Sequence, residues 1–388
     1  MEGQKQLSAS ERLKEVALLF FRLGAMSFGG PAAYLAIMHY EVVVRRKWVD
    51  EQKFLDILGA TNLIPGPNAT EVASHLGLLR AGWGGFAAAG LLFILPGFVT
   101  TAVAAWAYVT YGYLPQVGWV LYGVKPVILA IIVQALWSLG KRIRKPLMIA
   151  ITAIAGLALY FFDFNEIALL FAGAAVIILV RGGGRLLKSR SATLLVLPPL
   201  LAAPLATLAG AVPFSNGTLF LTFLKIGATL YGSGYVLLAF LRSEFVVGLG
   251  WLTNAQVLDA VAVDQITPGP LFTTAAFIGY LLSGWTGALL ATVAIFLPSF
   301  FFVATLSRFL PLLRKTWWAS AFLDGVTAVS LGLMAAVSVQ LGQAAIVDVF
   351  AVILGLTALL LLIRFKISSL WLMLGGGVLG IAYKLLIG

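Results

Sequence analysis

The chain reads as an all-α polytopic integral membrane protein: two inverted-topology repeats, each with broken or re-entrant half-helices. Three observations predict this: too little polar surface for water, an internal repeat, and basic clusters that alternate out of phase between the copies. Of 388 residues, 61% are apolar and 11% charged, with mean hydropathy +1.01. Soluble domains run at about 45–50% apolar and about 25% charged, so the bilayer must act as solvent. The net charge of +11 sits in short clusters between apolar runs, where the preference of positive loops for the cytoplasm accounts for it without nucleic acid. Cysteine is absent and histidine occurs twice, which excludes disulfides, thiolate metal sites, cysteine nucleophiles and iron–sulfur clusters; neither metal nor cofactor is expected. Residues 1–15 are polar and lack an apolar stretch, so no cleavable signal peptide is expected.

The repeat comes first in the argument, because missing it would misassign the fold. Glu41 and Glu244 lie 203 positions apart (244 less 41), and the same offset pairs Gly24 with Gly227, Gly29 with Gly232, Trp48 with Trp251 and Asp56 with Asp259. It also pairs Pro65-Gly66-Pro67 with Pro268-Gly269-Pro270, and Arg22 with Lys225. One residue is then lost, and Gly82/Gly284, Gly85/Gly287 and Pro96/Pro298 continue the match. Residues 20–180 and 223–385 are read as two copies, within an N-terminal domain 1–190, a linking span 191–216 and a C-terminal domain 217–388. Basic clusters occupy 45–47, 141–145 and 181–190 in the first copy; the places that match the first two, 248–250 and 343–347, carry no positive charge, whereas Arg314-Lys315 and Arg364/Lys366 face uncharged or acidic places in the first. The copies are therefore expected in opposite orientations, an arrangement typical of secondary transporters.

With positive clusters placed in the cytoplasm, runs 83–111, 119–140, 147–162 and 165–181 alternate and return inside. A span near 192–212 crosses outward, and 285–311, 317–341, 347–363 and 367–387 follow. The N-terminus is expected in the cytoplasm, and the protein in the inner (plasma) membrane. Trp83, Trp119, Trp137, Trp285, Trp317 and Trp318 fall near span ends and read as interface anchors. Four runs remain, 16–44, 54–80, 217–246 and 255–283, each interrupted by glycine or proline: Ser27-Phe28-Gly29-Gly30-Pro31, Pro65-Gly66-Pro67, Gly232-Ser233-Gly234 and Pro268-Gly269-Pro270. Proline removes a backbone donor and glycine permits reversal, so each run is read as paired half-helices, the alternative being a simple kink. Such backbone persists at membrane depth only when buried in protein or lining a wet cavity.

A half-helix that begins after Pro67 or Pro270 presents orphan N–H groups and the positive end of its dipole, a natural anion site. Small hydroxyls surround both starts: Thr70 and Ser74 in the first copy, Thr267, Thr273 and Thr274 in the second. They suit a tetrahedral oxyanion, although Ser and Thr also serve close helix packing. With Ser27, Gly29, Gly30, Gly66, Asn68, Gly232, Ser233 and Gly269 at the breaks, these form the expected substrate-binding set. Arg22 and Lys225 join it as cations inside apolar runs that could balance a dianion, or else snorkel to the interface. Proton coupling is assigned to buried carboxylates and a nearby imidazole: Glu71, His75, Asp264, the pair Glu41 and Glu244, and the pair Asp56 and Asp259. Structural readings stand beside these: Glu41 and Glu244 lie near Arg45, Arg46 and Arg242, and His75 and His39 could be hydrogen-bonded core residues.

Phe28-Gly29-Gly30-Pro31, Glu41, Arg46, Trp48 and Pro65-Gly66-Pro67, with Lys225-Ile226-Gly227, Gly232-Ser233-Gly234-Tyr235, Glu244, Gly250-Trp251-Leu252, Asp259, Thr267-Pro268-Gly269-Pro270 and Phe296-Leu297-Pro298-Ser299, resemble chromate ion transporters of the long, two-domain form. The resemblance covers nearly the whole chain. It implies export of chromate giving resistance, with sulfate as the close analogue. At Tyr34 and Asp264 the chain departs from the family pattern, which often has histidine and glycine there. The partners expected are the oxyanion and membrane lipids, with a second copy of the chain as a potential one. The competing class is a membrane enzyme acting on a phosphorylated lipid. It would need a nucleophile with a base or several arginines at the breaks, and only Arg22 and Arg80 are near them. No ATP-binding motif is present, so the transporter is expected to be secondary.

Overall fold

A computed structural model describes residues 8–27, 31–141, 146–162, 164–186, 213–231, 234–306 and 316–387. The described residues hold fourteen α-helices and no strand: α1 (Ala9–Met26), α2 (Pro31–His39), α3 (Glu51–Thr61), α4 (Asn68–Tyr111), α5 (Pro115–Lys141), α6 (Pro146–Phe161), α7 (Glu166–Leu186), α8 (Asn216–Thr229), α9 (Leu237–Leu241), α10 (Asn254–Ile266), α11 (Thr274–Leu306), α12 (Trp317–Ala345), α13 (Val349–Leu360) and α14 (Ser369–Ile387). Five stretches are long and apolar enough to cross a membrane: Asn68–Tyr111, Pro115–Lys141, Leu271–Thr305, Trp317–Ala345 and Ser369–Leu386. The protein is a polytopic helical membrane protein. Most of the proposed linking span, 191–212, lies outside the described residues.

Local chemistry sets the helix starts. Ser8 caps α1 in a reciprocal pair with Glu11, accepting from its N–H at 3.2 Å while Glu11 accepts from the Ser8 N–H at 2.7 Å. Asp50 caps α3, accepting from Lys53 N–H at 2.7 Å. At the matching place in the second copy, Thr253 and Gln256 cap α10 with the same reciprocal bonds, at 3.2 and 2.8 Å. Both copies also carry a π-helical turn ahead of the tryptophan, Tyr40–Arg45 and Arg242–Gly248.

A straight α4 of 44 residues would run about 66 Å, twice the roughly 30 Å hydrocarbon core. It is not straight. Ala81 (φ −138°, ψ 23°) and Gly82 (φ 65°, ψ −154°) leave helical geometry, as do Ser283 and Gly284 at the same place in α11. A Cβ at Gly77 would collide with the Gly85 carbonyl, and one at Gly279 with the Gly287 carbonyl. Residues eight apart meet that closely only when the chain doubles back, and glycine lets the two backbones touch. Thus 68–80 and 83–111 are separate helical arms, as the repeat predicted.

The chain forms two compact units that do not coincide with the repeats. One comprises 1–107, 219–228 and 263–311; the other comprises 108–218, 229–262 and 312–388. In the first unit, Val16, Leu19, Phe20, Leu23 and Gly24 form the buried stripe of α1, and Leu219, Thr222, Phe223, Ile226 and Gly227 that of α8. Gly24 seats on the Phe93 carbonyl and Gly227 on the Ile295 carbonyl, the same contact in each copy. In the second unit, α12 packs on α5, α6 and α7, and α5 packs on α13 and α14.

Candidate functional site

The two Pro-Gly-Pro breaks both lie in the first unit. Gly66 (φ 131°) and Gly269 (φ 124°) hold a backbone conformation that a Cβ would strain. Each glycine is pressed against the other copy. A Cβ at Gly66 would lie 3.1 Å from Ser299 Cβ, and one at Gly269 would lie 2.8 Å from Gly97 Cα. The Gly269 N–H also donates to the Ser27 carbonyl at 3.0 Å. Beyond Pro67, helix α4 opens with its carbonyl accepting from Thr70 and Glu71 N–H at 2.8 and 3.2 Å; beyond Pro270, a 3₁₀ turn (Leu271–Thr273) leads into α11.

The first turns of α4 bury an unusual run of polar groups: Thr70, Glu71 and Ser74 are at most 2% exposed and His75 is 8% exposed. Ser299 Oγ donates to Glu71 Oε1 at 2.8 Å. Among the described residues, Glu71 Oε2, Thr70 Oγ1 and His75 Nδ1 have no hydrogen-bond partner. Unsatisfied buried polar atoms are costly, typically about 1–3 kcal/mol each, and native structures keep few of them. In the second copy, Asp264 and Thr273 are buried, and Thr273 Oγ1 donates to Asp264 Oδ1 at 2.7 Å. Thr274 Oγ1 donates to the Leu271 carbonyl at 2.8 Å.

The other expected residues are placed as follows. Ser27 is buried and donates to the Leu23 carbonyl at 2.5 Å. Asn68 accepts from Thr61 at 2.6 Å and donates to Asn62. Gly29, Gly30, Gly232 and Ser233 lie outside the described residues. Arg22 and Lys225 are exposed, off the packed stripes of α1 and α8. Glu41 lies in an ion-pair cluster, 2.9 Å from Arg45 and 3.1 Å from Arg46, the structural alternative raised from its neighbours. Asp56 accepts from Gln52 at 3.0 Å, and Glu244 is half-buried on its π-helical turn. Asp259, in the second unit, pairs with Lys125 at 3.0 Å and accepts from Tyr108 at 2.9 Å. His39 contacts Glu51 at 2.6 Å.

Sequence reasoning missed Ser299, Thr101 and Lys125. Lys125 was legible as a lone cation inside the apolar run 119–140; Ser299 closes the Phe296-Leu297-Pro298-Ser299 motif, but its role, like that of Thr101, depends on a partner from the opposite copy. It also missed the cluster around Glu15, which accepts from Arg46 at 2.9 Å and Arg80 at 2.7 Å, with both guanidinium groups over the Trp48 ring. Burial alone would raise the Glu15 carboxyl. Its bonds from Arg80 and Arg46 outweigh that and hold it below the ordinary glutamate range.

Fold and breaks together define a multi-pass membrane protein of two repeated halves whose paired helix breaks hold buried oxygen groups. The family model described as chromate transporter matches it twice, at residues 14–179 and 217–381, and the chain belongs to that family. It is 32% identical over 390 residues to the chromate transport protein of Cupriavidus metallidurans, covering 99% of this chain and 96% of the relative. It is 33% identical over 333 residues to the chromate transport protein of Pseudomonas aeruginosa, covering 84% and 80%. An uncharacterized transporter of Bacillus subtilis is 29% identical over 159 residues, 40% of this chain and 89% of its own length. No solved structure matches.

Proposed function

We propose that this protein is a secondary transporter that exports chromate across the cytoplasmic membrane, with sulfate as the competing substrate, and is not an enzyme. The reading is supported most by one observation: two symmetric Pro-Gly-Pro breaks open helices onto buried hydroxyls, and the Thr70 hydroxyl has no partner among the described residues. In this proposal the oxyanion sits at the half-helix starts, bound by N–H groups of Asn68 and Ala69 and by Thr70, Ser74 and Thr274. Short donors and the positive dipole end suit a small, highly charged ion. Arg22 and Lys225, exposed at matching places, supply full charge that draws the dianion in. The copies lie in opposite orientations with the N-terminus inside.

Glu71 is the coupling residue of this reading. A carboxylate one turn into α4 would repel a dianion at the helix start, and two uncompensated charges at membrane depth are prohibitive. Dianion and proton therefore move outward together, carrying one net negative charge that the inside-negative membrane potential drives out. The test of the site is calorimetric titration with chromate, sulfate and nitrate. Wild type is expected to bind both divalent oxyanions and not nitrate. Thr70→Val combined with Thr274→Val is expected to weaken chromate at least tenfold, about 1.4 kcal/mol. Equal affinity for nitrate, or an unchanged double variant, would contradict the site.

A further inference from the structure

We infer that the second-copy break carries a monovalent-cation site, of sodium type, built on Asp264. Asp264 lies in the last turn of α10, where the helix dipole presents its negative end and the chain then unwinds through 267–270. The residue is 4% exposed, and among the described residues its Oδ2 has no hydrogen-bond partner. None of the ion pairs among the described residues includes it. The Thr274 backbone N–H and hydroxyl face its carboxylate, and oxygens line the rest: Thr273 Oγ1 at 2.7 Å from Oδ1, Thr101 Oγ1 at 3.5 Å from that hydroxyl, and Thr267 Oγ1 at 2.9 Å from Thr101. The Pro270 carbonyl lies 3.0 Å from Thr273 Oγ1.

One proton would satisfy Oδ2 alone. A hard cation uses the whole set. Cations of this size hold oxygens at about 2.3–2.6 Å, which places neighbouring ligand oxygens about 3.3–3.7 Å apart. The Thr101–Thr273 separation already meets that spacing, and the closer pairs would have to open by about 0.3–1.0 Å, the Asp264–Thr273 pair most. The hydroxyl protons have somewhere to go: Thr273 can donate to the Pro270 carbonyl and Thr267 to the Asp264 carbonyl, 3.2 Å away, freeing lone pairs for the ion. A single carboxylate matches a single charge. Helix C-terminal ends and unwound carbonyls are also where membrane carriers bind sodium.

The repeat supplies an internal control. The first-copy equivalents of Asp264, Thr267 and Thr101 are Thr61, Ile64 and Val303, so the same backbone there lacks the charge and two of the three hydroxyls. The cation site belongs to one copy only. Its use as a coupling site rests on the transport reading, but its existence does not, so it is tested without oxyanion.

The experiment is thermal unfolding of the purified full chain at constant ionic strength, exchanging choline chloride for sodium chloride, with sodium-22 binding in parallel. Wild type is expected to gain stability saturably with sodium. Asp264→Asn should raise the half-saturating sodium at least tenfold, Thr101→Val and Thr267→Val less, and Thr292→Val, another buried threonine of α11, not at all. Should Asp264→Asn fail to fold, the two threonine variants carry the test. A wild type indifferent to sodium, or stabilised by acid alone, overturns the inference, as does an unchanged response in Thr101→Val and Thr267→Val. Sodium binding with no chromate flux would sink the transport reading and leave this one standing.

Discussion

The two copies keep one backbone and fill it with different chemistry. Gly66 and Gly269 share φ values of 131° and 124°, and Gly82 and Gly284 share 65° and 59°. Their polar groups do not match. Glu71 stands where the second copy has Thr274, and Asp264 where the first has Thr61. Even the tryptophan corner differs. Trp48 is gripped by Arg46 and Arg80 around Glu15, whereas Trp251 packs edge-on against Phe214 at 5.0 Å, with Phe245 at 6.2 Å. The lesson is a division of labour: positive-φ glycines and prolines set where the helices break, and single side chains then set which polar groups each break buries.

Breaking the shared backbone should therefore harm both copies alike and most severely. Gly66→Ala and Gly269→Ala each add a strained φ and a 2.8 Å collision, with Glu71 Oε1 and Gly97 Cα respectively. Each is expected to cost about 2–4 kcal/mol and to abolish flux. Gly82→Ala meets nothing within 4 Å, and its cost of about 1–3 kcal/mol comes from a φ of 65° and ψ of −154° that essentially only glycine adopts. Thermal unfolding of the four single variants, Gly284→Ala included, measures both classes. A tolerant Gly269→Ala beside a lethal Gly66→Ala would break the symmetry argument.

The smaller effect sharpens the difference between the copies. Arg80→Ala removes two bonds to a partly buried carboxylate and is expected to destabilise by about 1–2 kcal/mol. Because the folded state lowers the pKa of Glu15, its contribution is complete above the unfolded value, about 4.3, and is lost as pH falls through the folded value. Wild type should lose stability in that acid window more steeply than Arg80→Ala does. Phe214→Ala, at the second-copy corner, should destabilise by an amount independent of pH. Equal acid sensitivity in wild type and Arg80→Ala would remove the Glu15 cluster from the account.

Much of this was legible because glycine, proline and charge are costly inside apolar sequence. The breaks at 65–67 and 268–270, and the division of α4 near 82, follow from residues whose backbone demands are local. Expected runs 83–111, 119–140, 285–311, 317–341 and 367–387 each fall on one of the five membrane-length stretches. What stayed hidden is how the copies interleave in the compact units, and hence that Ser299 would meet Glu71 and Thr101 would meet Thr273. Those contacts join residues 228 and 172 positions apart, beyond the reach of any local pattern. The exposure of Arg22 was readable in principle: it falls between Phe20 and Leu23, off the stripe that also holds Val16, Leu19 and Gly24.

The central claim, that the first-copy break couples dianion movement to a proton, is tested most directly by chromate uptake into proteoliposomes with and without an imposed pH gradient. Wild type is expected to accumulate chromate in response to the gradient. Glu71→Gln should keep chromate exchange across the membrane and lose the response to pH. Gradient-driven accumulation that persists in Glu71→Gln, or a wild type that moves chromate indifferently to pH, would contradict the account.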